Sequence, residues 1–152
     1  MTETPRPRRT GRSIGAVLAG LVAIFAVTTV TDVVLHATGV FPPWGQPMSD
    51  RLFLLATAYR IVYGVAGSYL TARLAPDRPM RHALWLGFVG LVISIAGAVA
   101  TWRLGPEFGP KWYPLVVAAT ALPCAWVGGK LRERELRAGD GGVSGYRPSG
   151  VD

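Results

Sequence analysis

The stretch SIGAVLAGLVAIFAVTTVT, residues 13–31, decides the fold class of this 152-residue chain. It holds 19 consecutive uncharged residues, and its apolar character resumes after Asp32 as far as Phe41. An α-helix rises about 1.5 Å per residue, so about 20 apolar residues cross a hydrocarbon core about 30 Å thick. Backbone amides find no water there, and a helix pairs them within its own segment. The stretch therefore predicts a membrane-spanning helix.

Three further apolar runs of similar length follow it. Residues 52–72 carry Arg60 as their one charge, residues 83–102 give 20 uncharged residues, and residues 112–129 give 18. Together the runs predict an all-α polytopic membrane protein with four transmembrane helices in an up-down bundle. We expect a basic cytoplasmic tail at 1–12, a transmembrane domain at 13–131 with spans at about 13–39, 52–74, 82–103 and 112–131, and a mostly disordered cytoplasmic tail at 132–152.

The positions of Lys and Arg predict the orientation. Twelve lie in the N-terminal tail, in the loop after the second run and in the C-terminal segment, whereas Arg51, Arg103 and Lys111 lie in the other two loops. Because basic residues concentrate on the cytoplasmic side, both chain ends are expected in the cytoplasm. A cleaved signal peptide is the alternative for the first run, but that run is longer than the roughly 7–15 apolar residues of a signal core.

Composition excludes several functional classes. The net charge of +7 and the pI near 10.3 would suit a nucleic-acid-binding protein. The basic residues instead flank apolar runs, without zinc-ligand spacing or an aromatic–basic stripe, so no nucleic-acid partner is expected. The one cysteine, Cys124, excludes an intrachain disulfide and a CxxC redox pair.

Polar side chains within the apolar runs are the candidate functional residues. At helical rise, Asp32 and Arg60 both lie about 12–13 Å from the outer ends of their helices, so antiparallel neighbours would bring them level. The same count reaches one hydroxyl residue on each of the other two helices. The predicted intramembrane polar layer consists of Asp32, His36, Arg60, Tyr63, Ser94 and Thr120.

Two interpretations of this layer stay open. A lone charge in a bilayer core is costly, and an Asp–Arg pair lowers that cost. Asp32 and Arg60 would then form an internal clamp between the first two spans. Alternatively, the layer is an ion or proton relay in which His36 is the titrating partner.

Residues 31–76 read TDVVLHATGVFPPWGQPMSDRLFLLATAYRIVYGVAGSYLTARLAP, and residues 80–91 read MRHALWLGFVGL. This sequence resembles small bacterial four-helix inner-membrane proteins that are recorded as hypothetical and have no known activity. The resemblance covers roughly residues 13–131. It implies a bacterial cytoplasmic membrane and supplies no activity, cofactor or site residue.

Two functional hypotheses follow. The first is a non-enzymatic accessory or structural helix bundle, because the sequence offers no nucleophile–base pair and no metal-ligand cluster; no enzyme activity, cofactor or metal is expected. The alternative is a small proton- or ion-coupled transporter that uses Asp32, His36 and Arg60. Small four-helix exporters are similar in having a carboxylate in the first helix, but they use Glu and lack an Arg at matching depth. The expected partners are the lipid bilayer and either another membrane protein or a second copy of the chain.

Overall fold

The computed structural model describes residues 7–105 and 108–143, with side chains described for 10–105 and 108–139. Within those ranges the chain is helical, without strands, and it forms four α-helices. The helices are α1 (Pro7–Ala37), α2 (Asp50–Leu74), α3 (Pro79–Thr101) and α4 (Trp112–Val143). Residues 1–6, part of the predicted basic tail, lie outside the described residues, as does Arg147. The expectation of an all-α fold is confirmed.

All four helices are long and apolar enough to cross a membrane. The shortest candidate span, Pro79–Thr101, has 23 residues, which at about 1.5 Å per residue exceeds the hydrocarbon thickness of about 30 Å. Within the apolar windows of the four helices, only 17–28% of residues are buried inside the protein. Large apolar side chains are therefore exposed along the helices, with Val22 at 63% and Val99 at 72%. A bilayer would cover such surfaces, whereas a soluble domain rarely exposes them over so large an area.

Contacts between α1 and α2 run in opposite order along the two helices. Gly20 lies against Gly67, and further along α1 Asp32 reaches Arg60. A Cβ atom on Gly20 would lie 2.8 Å from the carbonyl oxygen of Gly67, so the two backbones approach closely because neither residue has a side chain there. This close approach sets the register that brings Asp32 level with Arg60.

Helix α4 packs against both α2 and α3. A Cβ atom on Gly128 would lie 2.6 Å from the carbonyl oxygen of Val65, which places the α4 backbone directly on α2. On the other side, Ala83 of α3 and Ala125 of α4 are both 0% exposed. Small residues thus form the centre of the packing, as is usual where lipid removes the hydrophobic driving force between helices.

The C-terminal end of α4 differs from the expectation. The helix continues through residues 132–143, which the sequence analysis assigned to a mostly disordered tail, and residues 144–152 lie outside the described part of the chain. Pairs at i,i+3 support this extension: Lys130 with Glu133 at 3.2 Å and Arg132 with Glu135 at 2.6 Å. Tyr69 of α2 also donates a hydrogen bond to Glu135 at 2.8 Å. These tertiary and local contacts support the helix as far as Glu135, and no described contact accounts for its continuation through residues 139–143.

Candidate functional site

Asp32 and Arg60 form an ion pair between α1 and α2. Arg60 Nη2 lies 2.9 Å from Asp32 Oδ2, and the two side chains are 34% and 22% exposed respectively. The hydroxyl of Tyr59 donates a hydrogen bond to the other carboxylate oxygen, Oδ1. Two consecutive residues of α2 therefore satisfy both oxygens of one carboxylate on α1. A carboxylate held in this way avoids much of the cost of placing a charge in a low-dielectric region.

Tyr63 lies one helical turn from Tyr59, and it contacts α1 at a different residue. Its hydroxyl lies 3.0 Å from Thr31 Oγ1. The single proton of Thr31 is donated to the carbonyl oxygen of Val27 at 2.8 Å, so Tyr63 is the donor in this contact. Tyr59 and Tyr63, whose ring centroids are 5.7 Å apart, thus add two hydroxyl links to the ion pair between the same two helices.

His36 is held by the loop that follows α1. Its Nδ1 lies 2.6 Å from the carbonyl oxygen of Pro42, which can only accept, so the proton resides on Nδ1. Its ring stacks on Trp44, with centroids 3.7 Å apart. Among the described side chains it makes no hydrogen bond to Asp32 or Arg60, although all three border one outer recess of about 200 Å³. The structure therefore places His36 near the ion pair and outside its hydrogen-bond network.

Ser94 and Thr120 border a different space, a cavity of about 180 Å³ between the four helices. Arg60 and Thr28 border it too. The hydroxyl of Thr120 donates to the carbonyl oxygen of Val116 at 2.8 Å, which leaves its lone pairs as acceptors. The predicted layer is therefore divided: Asp32 and His36 lie with the outer recess, Ser94 and Thr120 lie with the central cavity, and Arg60 borders both.

Two buried polar atoms at the central cavity have no hydrogen-bond partner within the described residues. They are Thr28 Oγ1 and Arg60 Nε. Thr28 is only 9% exposed. An unsatisfied buried polar group costs about 1–3 kcal/mol. Both atoms are closed to water, so Thr28 and Arg60 each leave one polar atom without a described partner at the border of a mostly apolar cavity.

The aromatic side chains near Arg60 form one wall of the outer recess. The guanidinium carbon of Arg60 lies 5.7 Å from the ring centroid of Tyr113, and Phe53 packs against the same ring with centroids 4.9 Å apart. Such a cation–π contact stabilises a charge that has left bulk water. The arrangement can hold a charge away from bulk water. Among residues 7–105 and 108–143, the structure contains no group of three His, Cys, Asp or Glu side chains able to hold a metal ion.

Tyr59 and Thr31 belong to the site and were absent from the predicted layer. Tyr59 directly precedes Arg60 on α2, and its side chain also reaches Asp32. Thr31 precedes Asp32 in the same way on α1. A rule that includes the polar neighbours of each intramembrane charge would have found both.

No family model, curated protein or solved structure matches this chain. Function must therefore be inferred from the residues themselves and their geometry.

Proposed function

We propose that this chain is a non-enzymatic, multi-pass protein of a bacterial cytoplasmic membrane, an accessory or structural helix bundle. Its four helices cross the bilayer up and down with both ends in the cytoplasm. The bias of Lys and Arg toward the N-terminal tail, the second loop and the C-terminal segment supports this orientation.

The observation that carries the proposal is the double attachment of Asp32. Arg60 and Tyr59 occupy both carboxylate oxygens, so the acid is engaged in holding α1 against α2. Its hydrogen bonds leave no oxygen without a partner. A half-buried ion pair whose carboxylate is bonded at both oxygens suits an internal clamp, because removing either partner leaves the other charge uncompensated.

Charge rescue tests the clamp. We expect Asp32→Asn and Arg60→Gln, each alone, to lower the free energy of unfolding in detergent by about 1–3 kcal/mol, because each leaves an unpaired charge. The double variant should be less destabilised than the sum of the two, by about 1 kcal/mol or more. If the loss of unfolding free energy in the double variant equalled the sum of the losses in the two single variants, the clamp would be contradicted.

The pair Arg132–Glu135 provides a control, since it joins one arginine to one carboxylate within the single helix α4. Neutralising both of its members in the same way should give a smaller coupling than that of Asp32 and Arg60, because this pair does not join two helices and the Glu135 side chain is 48% exposed to solvent. A coupling as large as that of Asp32 and Arg60 would show that the measurement does not distinguish a pair between two helices from any other charged pair.

A second candidate function is proton- or ion-coupled transport through the polar layer. The observation that favours it is that Arg60 borders both the outer recess and the central cavity, with Nε unpartnered within the described residues. The ion pair would then lie between the outer recess and the central cavity. In sealed vesicles with an imposed membrane potential and an internal pH dye, this function requires proton flux that folded Asp32→Asn lacks. Wild-type flux equal to that of empty vesicles would overturn it.

A further inference from the structure

A groove of about 560 Å³ lies between the first turns of α1 and the start of α3, away from the ion pair. Its floor is apolar and includes Ile14, Leu18 and Trp85, which are 57%, 53% and 53% exposed. Helices α1 and α3 have fewer contacts with each other than each has with its main neighbour, so they leave this space between them. Contact with an apolar group is favourable for this surface, since its exposure to water would be unfavourable.

The rim of this groove is basic. Arg78 and Arg81 border it, both are exposed, and neither forms an ion pair with a described residue. Among the described residues that line the groove, Asp77 is the one acidic residue, so these residues keep a net positive charge. Helix α3 begins at Pro79, directly beside these arginines, and its N-terminus adds a partial positive charge.

We propose that this groove binds one anionic phospholipid. The phosphate lies on Arg78 and Arg81, and an acyl chain lies along Ile14, Leu18 and Trp85. Charge complementarity selects an anionic head group, and the apolar floor directly below the arginines selects a molecule that joins phosphate to hydrocarbon. Trp85 lies one helical turn after Arg81 on α3, which suits the region next to the head-group boundary, where tryptophan is enriched. The site requires only that these helices lie in a bilayer; it is independent of whether Asp32 and Arg60 act as a clamp or in transport.

The test measures lipid binding to the purified full-length chain in detergent by native mass spectrometry. The probes are dioleoylphosphatidylglycerol, which is anionic, dioleoylphosphatidylcholine, which has no net charge, and glycerol 3-phosphate, which lacks acyl chains. The test variant is Arg78→Gln/Arg81→Gln. Gln is chosen at position 78 because Arg78 has φ 41° and a glycine or asparagine there would also change backbone strain.

The matched control is Arg134→Gln/Arg137→Gln, which removes two exposed arginines from the end of α4. We expect wild-type protein to prefer the anionic lipid. The test variant should lose affinity for it on the order of tenfold and keep its affinity for phosphatidylcholine, because each basic contact near the surface contributes several-fold. The control should stay within about twofold of wild type. A second variant, Leu18→Asn, should weaken both lipids because it removes apolar floor.

Three results would overturn the proposal. Equal affinity of the wild-type protein for the two lipids would exclude selection by charge. Equal losses of affinity for the anionic lipid in the test and control variants would show that binding depends only on the overall charge of the protein. Displacement of the lipid by glycerol 3-phosphate at the lipid's own concentration would identify a phosphate site without a role for the groove floor.

Discussion

Arg60 distributes its donors between two environments. Nη2 binds Asp32 at the outer recess, whereas Nε lies at the central cavity without a partner among the described residues. A guanidinium has five N–H donors in a fixed plane, so a single arginine can serve two spaces at once. Replacement by lysine would keep the charge but lose the planar group that binds Asp32 and lies over the ring of Tyr113, because an ammonium group is a single point of charge. The chemistry of the site is therefore specific to arginine.

Two buried threonines give a prediction at the same scale. Thr28 Oγ1 and Thr71 Oγ1 both have no partner within the described residues, but only Thr28 borders the central cavity. Thr71 is 0% exposed and packs on Gly20. We expect Thr71→Val to raise the free energy of unfolding by about 1 kcal/mol, since it removes a buried hydroxyl that water cannot reach.

Thr28→Val should change the stability in the same direction as Thr71→Val, because the Thr28 hydroxyl is also buried without a described partner. Titration with a denaturing detergent, with helicity as the signal, measures both variants against wild type. Thr120→Val is the control: its hydroxyl binds only a carbonyl of its own helix and should be close to neutral. A clear loss of stability in Thr71→Val would indicate a partner for that hydroxyl.

At the scale of the element, helix approach is controlled by a few glycines. A Cβ atom on Gly128 would lie 2.6 Å from the Val65 carbonyl oxygen and 2.7 Å from the Tyr69 backbone nitrogen. Neither backbone atom can move without displacing α2. Gly97 on α3 has nothing within 4 Å of such an atom. Glycine therefore allows close packing at position 128 of α4, whereas it has no packing role at position 97 of α3.

This contrast predicts opposite effects of the same substitution. Gly128→Ala should lower the free energy of unfolding by about 1–3 kcal/mol because it forces α4 away from α2. Gly97→Ala should leave it unchanged or raise it by up to about 1 kcal/mol, since alanine favours a helix over glycine. Thermal unfolding of the two variants in one detergent makes the comparison. If both variants behaved alike, the close contact of α4 with α2 would be wrong.

At the scale of the whole molecule, the exposed apolar surface implies a topology. Four helices with apolar exteriors and short connections predict that residues 42–47 and the chain ends lie on opposite sides of one membrane. Reporter fusions after residue 45 and after residue 138 should therefore give opposite signals in bacterial cells. We also expect extraction from membranes to require detergent.

A fusion inside residues 76–78 serves as the control for orientation. It should report the same side as the fusion after residue 138, because an even number of crossings separates them. Signals from residue 45 and residue 138 on the same side would exclude four crossings, and release of the chain by salt or alkaline washing would exclude integral insertion.

The sequence by itself determined the four helices and the level of the ion pair. Uncharged runs of membrane length have one backbone solution in lipid, and a fixed helical rise converts residue counts into depth, which is how Asp32 and Arg60 could be matched before any packing was known. The ion pairs at i,i+3 that accompany α4 beyond residue 131 are also local, but the composition of the C-terminal segment did not indicate them.

Only the tertiary structure decided which side chains share a space. Depth along a helix does not fix rotation about its axis, so Ser94 and Thr120 could be placed at the right level but not assigned to the central cavity. His36 could not be assigned to the Pro42 carbonyl, because that contact depends on how the loop folds back. The rotation of the helices is set by close packing at Gly20, Gly67 and Gly128, where contact between residues distant in the sequence outweighs any local preference.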